Sequence, residues 1–525
     1  MRRAAFAALL AFAGLTLGAA GHAPLADVRF FAQAMPALSR TAAAPAADTS
    51  SLTAADYARY YAFPSVLNFG LEMEHGPASL VFRVDIRPDF NSFITERYLT
   101  NLPFAAHGIS SIGDANMPTV GYFGYEGERL DVSIGRRQLA WGPGAYGLAI
   151  GIGAPFLEHL QAAYSFPARS GEWRYSFVAI GADRAGEAAA HLSDAGYKNI
   201  FAHRVGYESD RLRVEVGELN LIHDIAPSLI DISPFGVYHN LYEDSYSNVM
   251  LDASAEWLAW PGLRAYGEFV MDDLVMPWEE NDGSPARPTA IGYLVGAEWR
   301  LLGGGAYATG RMREGDYALR DSTFAQRGGL VLRYEHYRTS TYLYNREIDS
   351  GKWTLPDHRL VNTSTGYLYT ANAYYLGFPY GPGVRLHMLS LDWESAALKA
   401  ALTLKYLSSG GRGIEAAYPP SDGAATWFAL QDPVTDNFIA EIGFRAAFSE
   451  ALGIFASGEA WIGDTPGAAA TFGLEYQFSA PSRRRFPRRS LYLSKLKYKE
   501  RLTCPITTNC ARSCRPGSAW SCATP

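Results

Sequence analysis

The chain has 525 residues and a formal net charge of −7, and 13% of its residues are aromatic. So many aromatic side chains argue against intrinsic disorder, and the scarcity of long apolar runs argues against a helical membrane protein, whose spans need about 20 apolar residues. Residues 22–479 hold 33 basic and 52 acidic residues, and such an acidic surface does not suit binding to nucleic acid.

The N-terminal residues have the order of a secretory signal peptide. Arg2 and Arg3 precede an apolar stretch, residues 4–17, which is followed by small residues up to Ala23. A positive start, an apolar stretch too short to span a bilayer and small residues at the cleavage point are typical of such peptides. We therefore expect residues 1–23 to be removed and the protein to leave the cytoplasm.

The next segment, residues 24–75, is predicted to be a periplasmic N-terminal segment with one short helix. Its first part is rich in Ala, Pro, Ser and Thr. Thr53 and Asp56 then have the spacing of a capping box, with Asp in the usual place of Glu. This pattern predicts a helix from Ala54 to Ala62 that stops before Pro64.

Apolar and polar residues alternate throughout residues 76–479. Near the end of this region, for example, Phe472 and Leu474 alternate with Thr471 and Gly473. A β-strand puts such residues on opposite faces, and stretches of about 10 residues match a strand that crosses a bilayer. The pattern predicts an all-β fold, a transmembrane antiparallel β-barrel of roughly 16 to 20 strands with its apolar face toward lipid. A soluble β-sandwich also alternates, but its strands are shorter.

Short turns and longer stretches alternate along the predicted barrel, as in outer-membrane barrels, whose long loops face the outside. The predicted turns lie at 168–171, 208–210 and 261–262, and the longer stretches at about 183–198, 223–248, 273–288, 345–383 and 409–435. Aromatic residues near the strand ends are expected to form interfacial girdles. These are Trp257, Trp260, Tyr334, Tyr337 and Trp461.

Charged residues of opposite sign recur on the predicted inner face of the barrel. The pairs are Arg264 with Glu268, Glu298 with Arg300, Arg333 with Glu335, and Glu441 with Arg445. They could make the lumen selective for charged solutes. They could equally do no more than neutralise one another, because an unpaired charge in a confined space is costly.

Three widely separated stretches carry compact motifs. They are residues 135–144 (GRRQLAWGPG), 267–274 (GEFVMDDL) and 376–383 (LGFPYGPG). In this order they resemble the Gly-Arg and Trp-Gly-Pro-Gly motif, the aromatic-rich strand ending in Asp-Asp and the Leu-Gly-x-Pro-x-Gly-Pro turn of the capsule-assembly (Wzi-type) outer-membrane proteins. The residues that carry the resemblance are Gly135, Arg136, Trp141, Gly142, Pro143, Gly144, Asp272, Asp273, Gly381 and Pro382.

The resemblance covers residues 52–478 and implies a closed barrel of about 18 strands that helps to hold polysaccharide at the cell surface. The expected function is the non-enzymatic attachment or assembly of a capsular or exopolysaccharide in the outer membrane of a diderm, Gram-negative-type bacterium. A porin for small polar solutes or sugars is the alternative. The expected partners are outer-membrane lipid, a surface polysaccharide and the barrel-insertion machinery.

The sequence was also searched for motifs of enzymes, cofactor sites and metal sites. The sequence contains no Gly-x-Ser-x-Gly, His-Glu-x-x-His or P-loop pattern, so we do not expect an enzyme. Asp272 and Asp273 could contact a divalent cation, but two carboxylates alone are an incomplete site for a hard ion. We therefore expect no cofactor and no metal.

Aromatic side chains concentrate in two of the longer stretches, residues 233–248 and 365–383. Aromatic rings pack on the C–H faces of sugars, so these side chains are candidates for glycan binding. The candidates are Trp141, Tyr238, Tyr242, Tyr374, Tyr375 and Tyr380. The alternatives are that the loop tyrosines form the outer girdle or pack the loops into a plug, and that Trp141 anchors at the membrane interface.

The last 46 residues, 480–525, differ from the rest in composition. They hold eleven Lys or Arg residues, one acidic residue and all four cysteines, Cys504, Cys510, Cys514 and Cys522. Four cysteines allow three disulfide pairings, and their spacing does not match a zinc ribbon. The basic residues could contact anionic lipid; alternatively, this basic, Cys-containing tail is a misread gene end and not a genuine extension.

Overall fold

A computed structural model describes most of the region between residues 27 and 479. The described ranges are 27–41, 60, 63–87, 100–102, 104–105, 108–109, 118–154, 156–183, 197–241, 246–260, 262–273, 289–302, 329–361, 368–395, 397–414, 428–449 and 451–479. All lie in the first of two units of the chain, residues 1–487. The predicted signal peptide, the predicted helix apart from Tyr60, Tyr242 and the tail lie outside the described residues.

Eighteen antiparallel strands form one closed sheet in the described part of the chain. They are β1 (Asp27–Ala34 and Ala37–Thr41), β2 (Leu67–His75), β3 (Ala78–Ile86), β4 (Val120–Glu126), β5 (Leu130–Arg137), β6 (Leu157–Ala168), β7 (Gly171–Asp183), β8 (Tyr197–Glu208), β9 (Leu212–His223), β10 (Ser247–Trp260), β11 (Leu263–Asp273), β12 (Ala290–Leu302), β13 (Gly329–Thr339), β14 (Val384–Glu394), β15 (Leu398–Ser409), β16 (Thr435–Ala447), β17 (Leu452–Gly463) and β18 (Gly467–Ser479). Each strand pairs with the next, and β18 pairs with both parts of β1. The predicted barrel fold is therefore confirmed.

The barrel begins at Asp27 and not at residue 76, so the predicted periplasmic segment 24–75 has to be corrected. Both β1 and β2 lie within that range. Pro36 has no N–H to donate, and it interrupts β1 after eight residues. The two halves are too short to stand out as spanning strands. Their pairing with β18, and that of the first half with β2, identifies them as part of the wall.

The connections differ between the two ends of the barrel. At the end that we call the short-turn end, residues 76–77, 127–129, 169–170, 209–211, 261–262, 395–397 and 448–451 join successive strands; the connection between β12 and β13 is longer. At the opposite, long-loop end, all connections are long except the one between β17 and β18. The predicted turns and longer stretches fall at these two ends as expected.

The remaining elements of the described residues lie in the long connections. Thr354–Val361 pairs with Leu368–Tyr375, and Phe104–Ala105 pairs with Gly108–Ile109. Two 3-10 turns lie at Tyr238–Leu241 and Asp349–Gly351. Among the described residues, no helix has the length and apolar character needed to cross a bilayer.

The outer wall of the barrel is apolar, and much of the inner wall is covered. Exposed side chains on the outer face include Phe82, Trp173, Val216, Val295, Leu391, Ile442 and Phe472. Inner-face residues such as Val178, Leu219 and Leu294 are buried. Exposed apolar surface of this extent on a closed barrel matches a wall that faces lipid.

Two of the five predicted girdle residues point inward. Trp257, Trp260 and Tyr334 are exposed on the outer face, as predicted. Tyr337 is fully buried, and Trp461 packs against the core inside the barrel. The reason is the period of two: Tyr337 stands three residues after Tyr334 and so lies on the opposite face of β13.

Several charges of the predicted pairs have their partners on other strands of the inner wall. Residues i and i+4 of one strand are about 13 Å apart, too far for an ion pair. Arg264 instead bonds Glu298 on the neighbouring strand at 3.3 Å, and Arg333 bonds the same carboxylate at 2.9 Å. Arg445 pairs with Glu475, so none of these contacts follows the predicted same-strand scheme.

Candidate functional site

Two long connections enter the lumen of the barrel and form what we call the plug, the described residues of 138–156 and 340–383. The first connection joins neighbouring strands, β5 and β6, yet it contacts strands on other sides of the wall. The Trp141 ring lies 4.3 Å from the Arg204 guanidinium on β8, and the Ala145 amide donates to Glu335 on β13 at 2.8 Å. Only a chain that crosses the lumen can make both contacts.

Two buried carboxylates of the inner wall hold the first plug connection. Oε1 of Glu268 accepts hydrogen bonds from the amides of Leu148 and Ala149, at 3.0 and 3.1 Å. Glu335 accepts the Ala145 amide, and the hydroxyls of Tyr266 and Tyr337 also donate to it, at 2.6 and 2.8 Å. Hydrogen bonds to a carboxylate are among the stronger ones, so these groups anchor the connection to the wall.

The second plug connection packs directly on the first. The Gly151 amide donates to the Leu376 carbonyl at 2.7 Å, and the Tyr344 hydroxyl donates to the Leu148 carbonyl at 2.6 Å. Burial raises the pKa of Tyr344 well above its usual value, so the hydroxyl keeps the proton that it donates. At Gly377 a Cβ would lie 1.9 Å from the Leu148 carbonyl oxygen, and only glycine permits this approach.

The Asp-Asp pair at the end of β11 holds the second plug connection. The indole N–H of Trp353 donates to Asp272 at 2.8 Å, and Arg346 donates to Asp273 at 2.6 Å. Lys198 on β8 donates to Thr354 of the same connection at 3.3 Å. No group of three or more metal-ligating side chains exists among the described residues.

Most of the residues that carry the resemblance lie in the plug or at the points where the chain leaves the wall to form it. Gly135, Gly142 and Gly381 have φ angles of 129°, 92° and 77°, which favour glycine. A Cβ at Gly144 would lie 2.2 Å from a Leu294 methyl group of the inner wall. Pro143 and Pro382 are buried, whereas Arg136 pairs with Glu158 on the outer wall.

The structure places most of the glycan-binding candidates in covered positions. Trp141, Tyr374 and Tyr375 are buried in the plug, with 1%, 6% and 4% of their surface exposed. Their ring faces are covered by protein, so in this conformation they are not available to a sugar, and Trp141 does not anchor at the membrane interface. Tyr380 is half-buried. Tyr242 lies outside the described residues.

Tyr238 is also buried, but against the outer wall and not in the lumen. Its ring lies 4.6 Å from the His203 ring, and its amide donates to Glu218 at 2.7 Å. His203 and Glu218 lie on the same strand faces as exposed Val205 and Val216. The connection that carries Tyr238 therefore folds over the outside of β8 and β9 and covers polar groups there.

Tyr380 belongs to a cluster that the sequence reading did not find, which we call the lumen cluster: Tyr146, Tyr380, Lys405 and Glu441. The two tyrosine rings lie 5.7 Å apart at 85°, and Lys405 donates to the Tyr380 hydroxyl at 3.1 Å and pairs with Glu441. Both tyrosines are only partly buried. In the sequence, the only indication of this cluster is that Tyr146 follows the Trp-Gly-Pro-Gly motif by two residues.

Replacing Asp272 by Ala tests the anchoring of the second connection. We expect the free energy of unfolding to fall by about 1–3 kcal/mol, because the substitution leaves the buried indole N–H of Trp353 without its acceptor. A urea titration in detergent micelles, followed by tryptophan fluorescence, measures the change. Glu459→Ala is the control, since Glu459 is an exposed carboxylate on the inner wall. Equal stability of the two variants would contradict the anchoring role.

Comparison with known proteins adds the following. No family model and no curated protein matches the chain. Similar solved structures include Wzi of Escherichia coli, an outer membrane protein involved in group 1 capsule assembly and a carbohydrate-binding β-barrel (14% identity, 87% of this chain and 85% of that chain covered, TM-score 0.48). They also include OccK5 (OpdH) of Pseudomonas aeruginosa (8% identity, 88% and 100% covered, TM-score 0.41). OccK8 (OprE) of the same organism is 10% identical (88% and 100% covered, TM-score 0.40). These values are too low to assign a function to this chain.

Proposed function

We propose that this protein is an outer-membrane barrel of a diderm bacterium that attaches or assembles a capsular or exopolysaccharide at the cell surface without enzymatic chemistry. The plug is the observation that carries the proposal. A chain held inside the lumen by Glu268 and Glu335 opposes free diffusion. The motifs that resemble capsule-assembly proteins form this plug and its anchors.

The proposed orientation puts the long loops outside the cell and the short turns in the periplasm. The outer wall contacts membrane lipid, and the barrel-insertion machinery places the chain in the membrane. In this orientation the external connections and the plug are the parts that a surface polysaccharide reaches first.

The lumen cluster is the proposed contact for the glycan. Tyr146 and Tyr380 offer partly exposed ring surface, and the half-buried carboxylate of Glu441 offers an acceptor near it. Lys405 is buried and holds the Tyr380 hydroxyl and Glu441 in place. Rings next to such groups suit sugars, because the rings pack on C–H faces while the polar groups meet hydroxyls. Of the original six candidates, only Tyr380 takes part in this site.

Binding of polysaccharide purified from the source bacterium, measured by isothermal titration calorimetry, tests the proposal. Tyr380→Ala should weaken binding about threefold to tenfold, the usual effect of losing one aromatic contact. Tyr164→Ala, on the outer wall, is the control and should bind like the wild type. Unchanged affinity of folded Tyr380→Ala would reject the lumen cluster, and no binding by the wild type would reject the function.

A porin for small polar solutes or sugars is the second candidate. Exposed Glu459 and half-exposed Arg445 on the inner wall of β16 and β17 favour it. Charged side chains that remain accessible inside a barrel are typical of a lumen that contains water. Conductance separates the two candidates, because a plugged barrel carries no steady current.

A further inference from the structure

Four basic side chains face one another in two layers where β13 and β14 pair. His336 stands directly opposite His387, and Arg338 directly opposite Arg385. The two histidine rings lie 4.4 Å apart. Like charges that are directly opposite across two strands are destabilising, so this basic cluster, as we call it, calls for a counter-charge.

The basic cluster lies on the outer wall at the long-loop end. Its members have the same strand phase as exposed Tyr334 and Leu389, whereas residues of the opposite phase, such as Glu335 and Leu386, are fully buried. Thr339 ends β13 and Val384 begins β14, so the arginines lie at the rim and the histidines one layer below it. Below the histidines the outer face is mainly apolar down to the short-turn end.

Neither arginine has an ion pair with a described carboxylate. Arg338 donates to the Phe428 carbonyl, and Arg385 donates to the Ser408 hydroxyl at 3.0 Å. Ser408 in turn donates to Asp436, which is the only carboxylate linked to the cluster in the described residues. Within the described part of the chain, Nη1 of Arg338, Nε of Arg385 and Nδ1 of His336 are buried and have no hydrogen-bond partner.

Another arginine at the long-loop end of the outer wall, Arg136, has its charge neutralised by a neighbouring strand. Arg136 on β5 stands directly opposite Glu158 on β6 and pairs with it. On β13 and β14 the residue opposite Arg338 is another arginine, and no carboxylate of the described residues pairs with either one, so an external anion can supply the counter-charge. Because the cluster borders an apolar wall, an anion attached to acyl chains fits it better than a free anion.

We propose that the basic cluster binds the phosphate of a phosphorylated lipid in the outer leaflet. The guanidinium groups of Arg338 and Arg385 contact the phosphate, and the acyl chains lie along Leu389 and Leu391 below. The rings of Phe428 and Tyr406 lie beside the two guanidinium groups, with centroids at 5.6 and 5.9 Å, and limit their movement. The assignment to the outer leaflet rests on the orientation proposed above.

Native mass spectrometry of the full chain in detergent micelles, titrated with diphosphoryl lipid A, tests the site. The double variant Arg338→Gln/Arg385→Gln should lose at least about tenfold in apparent affinity, because each arginine contributes a charge-assisted hydrogen bond. Single Arg385→Gln should also bind more weakly than Arg136→Gln, which removes the same charge from the same rim. Circular dichroism verifies the fold, and the single variants decide the outcome if the double variant does not fold.

Two further binding measurements identify the ligand. Lipid A without its phosphates should bind at least about tenfold more weakly to the wild type. Inorganic phosphate at the same phosphate concentration should not displace the lipid. Equal binding by the double variant, equal binding of the dephosphorylated lipid, or full displacement by inorganic phosphate would each overturn the proposal. Since no polysaccharide is present, failure of this test is distinct from failure of the proposed function.

Discussion

The wild-type barrel is expected to give no steady current in a planar bilayer, whereas the double variant Glu268→Ala/Glu335→Ala is expected to conduct. The two carboxylates accept three backbone amides of the first plug connection. Each hydrogen bond to a charged acceptor is worth about 1.5–3 kcal/mol, so the loss of all three weakens the attachment of the connection to the wall. Single-channel recording of the refolded proteins measures the difference.

Glu459→Ala is the matched control for this experiment. Glu459 is also a carboxylate on the inner wall, but its side chain is exposed in the lumen. This variant should remain as silent as the wild type. Steady ohmic current through the wild type would contradict closure by the plug and favour the porin, with Glu459 and Arg445 as the groups that set its ion selectivity.

Gly377→Ala is expected to separate the two plug connections. The added Cβ would lie 1.9 Å from the Leu148 carbonyl oxygen and 2.7 Å from the Tyr344 hydroxyl. The backbone of one connection must shift, and such overpacking costs about 1–3 kcal/mol. The shift also stretches the bond from the Gly151 amide to the Leu376 carbonyl. We expect a lower urea midpoint together with bursts of current.

Gly181→Ala separates this effect from the general consequences of replacing a glycine in the barrel. Apart from its chain neighbours, a Cβ at Gly181 would have no heavy atom of the described residues within 4 Å, so this variant should match the wild type in stability and in conductance. If Gly377→Ala behaved like Gly181→Ala, the close approach of the two connections would not be what keeps the plug together.

The motifs have a different role from the one that their residue types suggest. Trp141 has the ring that a sugar site needs, but the ring packs on Arg204, which itself pairs with Asp252. Asp272 and Asp273 have the oxygens that a cation needs, but Trp353 and Arg346 donate to them. Stretches more than 100 residues apart therefore meet to build one plug.

Sequence alone determined the fold class, the positions of many strands and the ends at which the predicted turns and longer stretches lie. The reason is that these features are local: a strand with one face toward lipid must alternate with a period of two. The predicted periplasmic segment was wrong for β1 and β2. Pro36 divides β1, and a half-length strand carries too little periodicity to be recognised. The prediction that Tyr337 belongs to the outer girdle was also wrong. Tyr337 is three residues from Tyr334, and an odd separation puts two residues of a strand on opposite faces.

Only the tertiary structure decided where the long connections go. Tyr238 and Tyr375 lie in similar aromatic stretches, yet one packs on the outer wall against His203 and the other lies in the plug. The choice depends on which wall residues offer partners, and those residues are distant in sequence. The opposition of Arg338 to Arg385 likewise arises only from strand register, which joins residues whose separation in the chain carries no local signal.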